Sequence, residues 1–201
     1  MFTNSQVLRR FTLAVTVVLA IAAAAPADAI TVGFNGPYDP TQWTTTILGS
    51  PQLGSTVFSP SHTTLTITGG NNDPNGCVGG VAGFPGPCEV DITSKNPQST
   101  FSFHWDYVTV DIGAGFDQFG ILVNGSHIVL SDLGGPLHQF ADVTIKANTQ
   151  FGYYINCTDC TGGAATVNIT QFIAAAPEPG SLTLFAVGLV ALAALRRRCA
   201  T

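Results

Sequence analysis

The stretch from Thr100 to Tyr107 leaves the chain little choice of fold. Phe101, Phe103, Trp105 and Tyr107 alternate with Ser102, His104 and Asp106. That period of two puts all four rings on one face of a strand, whereas a helix would scatter them around its axis. The same pattern recurs between turn residues along the middle of the chain. Gly120 to Val123 and Ser126 to Leu130 flank Asn124-Gly125, and a type I′ hairpin turn needs positive φ at both central residues. Further strands are predicted at Ile30–Phe34, Trp43–Leu48, Thr63–Thr68, Glu89–Thr93, Phe140–Lys146, Gln150–Tyr154 and Ala165–Ile173. Between residues 30 and 173 no window has the spacing of an amphipathic helix. Short strands with one apolar face each must bury those faces against one another, so the predicted fold is all-β: an antiparallel β-sandwich, jelly-roll-like, over residues 30–173.

The two ends are different in kind. Arg9 and Arg10 precede an apolar run from Leu13 to Ala25, and Ala27-Asp28-Ala29 is an A-x-A site. Residues 1–29 therefore read as a signal peptide cleaved between Ala29 and Ile30, with secretion machinery and signal peptidase as partners. At the far end Pro177, Glu178 and Pro179 precede an apolar run over 182–195, followed by Arg196, Arg197 and Arg198. From Gly180 that run would make a helix of about 24 Å, a marginal span of the inner membrane. The arginines behind it place the tail inside and the domain outside. Ala174-Ala175-Ala176 is expected to be the linker. From Ile30 to Ala176 there are ten acids against Lys95 and Lys146 alone. Nucleic acid is excluded as a partner, because no basic footprint exists to meet its phosphates.

Pro177-Glu178-Pro179, the short apolar helix and the closing arginines resemble the PEP-CTERM sorting signal of Gram-negative bacteria over residues 177–201. The same tail is also catalogued as an "ice-binding protein C-terminal domain". The resemblance implies an exosortase as partner. It also implies tethering in the inner membrane, cleavage near the Pro-Glu-Pro, and delivery to the cell surface or the exopolysaccharide matrix of a biofilm. Cys199-Ala200-Thr201 after the arginines departs from the pattern. Phe103-His104-Trp105-Asp106-Tyr107, Phe116-Asp117-Gln118-Phe119-Gly120 and Phe151-Gly152-Tyr153-Tyr154 resemble an uncharacterised domain that precedes such tails, which implies no activity.

Four cysteines fall in the exported part, and an oxidising compartment favours their pairing. The expected bridges are Cys77–Cys88, closing a Gly/Pro-rich loop, and Cys157–Cys160 at a strand end, since the latter C-x-x-C lacks the helix N-terminus that redox chemistry uses. Catalytic signatures are absent: there is no G-x-S-x-G, no H-E-x-x-H and no phosphate loop. Ser126 and His127 are adjacent on a strand and face opposite ways. Glu89 and Asp91 share a strand face and are the one carboxylate pair that could serve acid–base work on a polysaccharide. No cofactor motif is present. Calcium is the one candidate metal, at Asn71, Asp73 and Asn75 with loop spacing, or at Asp111 and Asp117. Tyr38, Trp43 and Tyr154 are candidates for stacking on sugar rings. Thr64, Thr66 and Thr68 form a T-x-T-x-T row, but no second strand extends it into the flat array that ice binding requires. The expected protein is thus a non-enzymatic surface or matrix protein with a structural or adhesive role in exopolysaccharide. A lectin-like, calcium-dependent module is the alternative, and a polysaccharide-active enzyme stands third.

Overall fold

In a computed structural model, residues 29–49, 52–71, 88–158, 160 and 162–176 are described. Eleven strands lie among them: β1 (Ala29–Val32), β2 (Trp43–Leu48), β3 (Ser55–Phe58), β4 (Leu65–Thr68), β5 (Cys88–Ser94), β6 (Ser99–Val108), β7 (Asp117–Val123), β8 (Ser126–Val129), β9 (His138–Ala147), β10 (Phe151–Cys157) and β11 (Thr166–Ala176). They form two sheets within the unit Ile30–Ala176. One sheet runs β3-β4-β11-β6-β9, with β1 pairing β11; the other runs β2-β5-β10-β7-β8. Every pairing with a defined register is antiparallel. The fold is the predicted antiparallel β-sandwich. Residues 1–28 of the expected signal peptide, Pro177-Glu178-Pro179 and the apolar run at 182–195 lie outside the described residues. Among the described residues no helix is long and apolar enough to cross a membrane.

The alternation that predicted the sandwich also fills it. Phe101, Phe103, Trp105 and Tyr107 of β6 are buried, as are Phe151, Tyr153 and Ile155 of β10 on the facing sheet. Phe101 and Phe151 stack across the gap with ring centroids 3.7 Å apart and planes 6° apart. Such ring pairs contribute about 0.5–1.5 kcal/mol beyond the area they bury. The Asn124-Gly125 turn has φ of +51° and +84°, as a type I′ hairpin demands. Asn124 Oδ1 also accepts from the backbone N–H groups of Asn148 and Thr149, which ties this turn to the β9–β10 loop.

Three expectations need correction. Ala174–Ala176 is not a linker: these residues belong to β11, with Ala174 opposite Phe101 and Ala175 opposite Thr100 on β6. A bulge makes this pairing work. The register with β6 shifts between Thr170 and Ile173, and Gln171 takes φ +52°. The inward parity changes from Val167 and Ile169 to Phe172 and Ala174, so the strand keeps a core face to its end. Second, β3 is an additional strand, pairing Ser55–Phe58 with Thr68–Leu65. Third, Tyr38, Trp43 and Tyr154 are not exposed platforms, being 0%, 7% and 2% exposed. Trp43 packs among Phe34, Phe58, Phe151, Tyr153 and Phe172, and its indole N–H donates to the Tyr38 carbonyl at 2.9 Å.

Candidate functional site

The outer face of the β2-β5-β10-β7-β8 sheet holds the densest group of chemically capable side chains. Val90 and Ile92 of β5 point into the core, so Glu89 and Asp91 point out. Register then sets their neighbours. Asp91 lies opposite Tyr154 and Glu89 opposite Asn156 on β10, while Tyr154 lies opposite Gly120 on β7. Gly120 has no side chain to raise that row, and the Tyr154 ring lies down over it: a Cβ there would come within 2.6 Å of the Tyr154 hydroxyl oxygen. Over this lowered floor His127 reaches in from β8 and places Nε2 3.0 Å from Glu89 Oε1. The Tyr154 ring meets the imidazole edge-to-face, with centroids 4.7 Å apart. Asn156 Nδ2 donates to the other Glu89 oxygen at 2.8 Å.

Glu89, Asp91 and His127 each offer a ligating atom, and those atoms lie within 4.8 Å of one another. They are the one such group of three among the described residues. Glu89 is only 9% exposed, and Asp91 Oδ1 is sealed from solvent without a hydrogen-bond partner. Burial and the negative charge of Glu89 push the Asp91 carboxyl up to about 7. The strand-face pairing of Glu89 and Asp91 was legible in sequence. The third member was not, because it depends on a glycine two strands away.

The outer face of the other sheet carries a second arrangement. Gln139, Ala141, Val143, Ile145 and Ala147 form the inward row of β9, so Phe140 faces out and is 65% exposed. His138 and His104 flank it, with ring centroids 5.9 and 6.3 Å from the Phe140 ring. Asp106 Oδ1 lies 2.8 Å from His138 Nε2, and Asp142 Oδ1 lies 2.8 Å from His104 Nδ1. His104 thus pairs with a carboxylate across the ladder, not with Asp106 on its own strand. Asn168 and Thr170 of β11 continue this face beside Asp106 and His104. Sequence reasoning missed Phe140, although the inward row of small and branched residues in β9 already required it to face out.

The other predicted site residues fare differently. Asp117 is fully buried and its Oδ2 accepts from the Thr109 hydroxyl at 2.9 Å. Asp111 accepts from the N–H of Ile112, and its own N–H donates to Thr109 Oγ1. The two aspartates brace the 109–117 loop and join no group of three ligating side chains among the described residues. Of the calcium-loop candidates only Asn71 is described, and it is exposed; Asp73 and Asn75 lie outside the described residues.

The predicted Cys157–Cys160 bridge is not present, as neither residue is in a disulfide. Cys160 adopts φ +55° and its thiol turns back toward the Cys157 carbonyl, 3.6 Å away. Register sets Cys157 opposite Cys88, and all three cysteines share one buried cluster beside Leu53. Cys77, the expected partner of Cys88, lies outside the described residues. Burial pushes the Cys157 thiol far up, with Cys160 and the charge of Asp117 adding to it. A buried thiol of that kind is inert. Iodoacetamide at pH 8 should therefore leave Cys157 and Cys160 unmodified in the native chain and label both after unfolding, as read by peptide mass spectrometry. Labelling of native Cys157 would show that this cluster is open.

With this geometry in hand, comparison with known proteins adds one firm point. Residues 175–198 match the PEP-CTERM protein-sorting motif. The chain is therefore an antiparallel β-sandwich followed directly by a PEP-CTERM motif, a signal for export and membrane-anchored sorting. Several solved structures resemble it. A lysine-to-alanine variant of the family 29 carbohydrate-binding module CBM29-2 is 11% identical, with a TM-score of 0.38 over 73% of this chain and 91% of that one. A CBM29-2 variant complexed with cellulohexaose is 9% identical, with a TM-score of 0.39 over 73% and 89%. The family 11 module from Clostridium thermocellum, in complex with a mixed-linked tetrasaccharide, is 9% identical, with a TM-score of 0.34 over 75% and 98%. No curated protein sequence matches the chain.

Proposed function

We propose that this chain is a surface protein of a Gram-negative envelope, sorted and cleaved by an exosortase. In this reading its sandwich is a non-catalytic adhesive module that holds exopolysaccharide against the six-stranded sheet. The observation that carries the binding half is Phe140. This aromatic ring, 65% exposed on a sheet face, is free to stack on a ligand, and it stands between two histidine–carboxylate pairs. An aromatic face takes the C–H face of a sugar ring, while Asp106, Asp142 and the imidazoles supply acceptors and donors for its hydroxyls. This face replaces Tyr38, Trp43 and Tyr154, which are buried. The sorting half rests on the motif at 175–198. Removal of residues 1–29 by signal peptidase, passage through the secretion machinery, a tail held in the inner membrane by 182–195 and a Cys77–Cys88 bridge complete the reading.

The test is retention of the purified full-length chain on the host's exopolysaccharide. Phe140→Ala should weaken retention roughly tenfold, the loss of about 1.4 kcal/mol expected of one ring contact. EDTA should leave it unchanged, because among the described residues this face brings no three ligating side chains together. Retention that is equal with and without Phe140 would overturn the assignment. Chain-dependent shortening of the polysaccharide would instead favour an enzyme using Glu89 and Asp91.

A further inference from the structure

We propose that Glu89, Asp91 and His127 bind a divalent transition-metal ion, with zinc the best fit. The site lies on the opposite sheet from Phe140 and does not depend on the polysaccharide reading. Three observations carry it. Glu89 Oε1 and His127 Nε2 are 3.0 Å apart, and the Asp91 donor lies within the same 4.8 Å. Ligands held about 2.0–2.2 Å from one ion lie about 3–4 Å apart, a separation that the Glu89–His127 pair already has. Next, two carboxylates face each other with neither lysine beside them and only the His127 imidazole, 3.0 Å from Glu89, to offset their charge. Of the two lysines between Ile30 and Ala176, Lys95 donates to the Thr41 carbonyl and Lys146 stands in β9 of the other sheet. Finally, the donors are already fixed. Asn156 orients Glu89, the Tyr154 ring orients His127, and the Asp91 carboxyl is held against Glu89 with its Oδ1 sealed from solvent and lacking a hydrogen-bond partner.

Fixing ligating side chains in this way is what metal sites require of their surroundings. An orphaned buried acceptor is the atom a cation would take up. His127, half exposed, leaves a way in. One imidazole with two carboxylates selects zinc or a neighbouring transition metal over calcium, which prefers six or more oxygens.

Isothermal titration of the metal-stripped full-length chain, held in detergent, with Zn2+ tests this directly. One ion per chain is expected. Glu89→Gln and His127→Gln should each weaken binding at least tenfold, whereas Asp39→Asn, at the distant His62 pair, should leave it unchanged. Zn2+ should also raise the Tm of the parent chain by several degrees, through binding to the folded state alone. A readout without any substitution is the visible spectrum of Co2+ in the parent chain, which should be that of an oxygen–nitrogen site and be bleached by Zn2+ but not by Ca2+. Absence of Zn2+ binding would overturn the proposal. So would a Co2+ spectrum with thiolate bands, or binding lost in Cys157→Ala and kept in Glu89→Gln, since both put the ion in the cysteine cluster instead.

Discussion

Phe151→Ala should lower the stability of the sandwich by about 4 kcal/mol, near the top of what a single core truncation costs. Phe151 is fully buried on β10 and stacks on Phe101 of β6 at 3.7 Å, so one ring pair joins the two sheets. It also touches Trp43, Phe103, Tyr153 and Phe172, with centroids 5.3–6.4 Å away. Those neighbours are flat and held on rigid strands, so they cannot close over the missing ring and a cavity remains. Guanidinium unfolding followed by fluorescence of the buried Trp43 and Trp105 would measure the loss. A cost under about 1.5 kcal/mol would mean that the core repacks freely and that the stack is not structural. Phe140→Ala, at an exposed ring, should change stability by less than about 0.5 kcal/mol, which separates binding from folding in the retention experiment.

Gly120→Ala should cost about 3 kcal/mol, a large effect for one methyl group. The backbone conformation is ordinary for a strand; space is what is lacking. A Cβ at this position would lie 2.2 Å from the carbonyl oxygen of Ile128 and 2.6 Å from both Cε1 and Oη of Tyr154. The first contact is with the backbone of the neighbouring edge strand, so relief requires β8 to separate from β7. The second lifts the Tyr154 ring from beneath His127 and spreads the group around Glu89. Tyr154→Ala in the same chain should recover only part of the loss, because the clash with Ile128 persists. Thermal unfolding of the single and double variants would measure this. A Gly120→Ala chain within about 0.5 kcal/mol of the parent would show that the row is not crowded.

How much of the fold and the site is readable in the sequence depends on the range of the interaction. The strand period, the Asn124-Gly125 turn and the face of Phe101 to Tyr107 are local, and the structure follows them. β3 escaped notice because Ser55–Phe58 is only four residues long and alternates weakly; its partner β4 is what makes it a strand. Cys157 and Cys160 sit three apart in sequence, yet the positive φ of Cys160 turns its sulfur away from a bridge. Trp43 was read as exposed because its own strand is otherwise rich in threonine. What buries it arrives from four other parts of the chain. The Glu89–Asp91–His127 group needed the register of four strands and one missing side chain, none of which a single segment displays.

The position of β11 has a consequence for the order of events as the chain is made. It is the last strand in sequence yet lies inside its sheet, with β4 on one side and β6 on the other. Until it arrives, β3-β4 and β6-β9 are separate ribbons with open hydrogen-bonding edges, although every strand of the facing sheet has already been made. A chain emerging from its N-terminus therefore stays unfinished through about 165 residues, then closes as the final strand inserts. The sorting motif begins at Ala175, inside that same strand. Completion of the sandwich and emergence of the sorting motif thus fall at the same moment, and a chain that lost its last ten residues before the motif would have its six-stranded sheet split between β4 and β6.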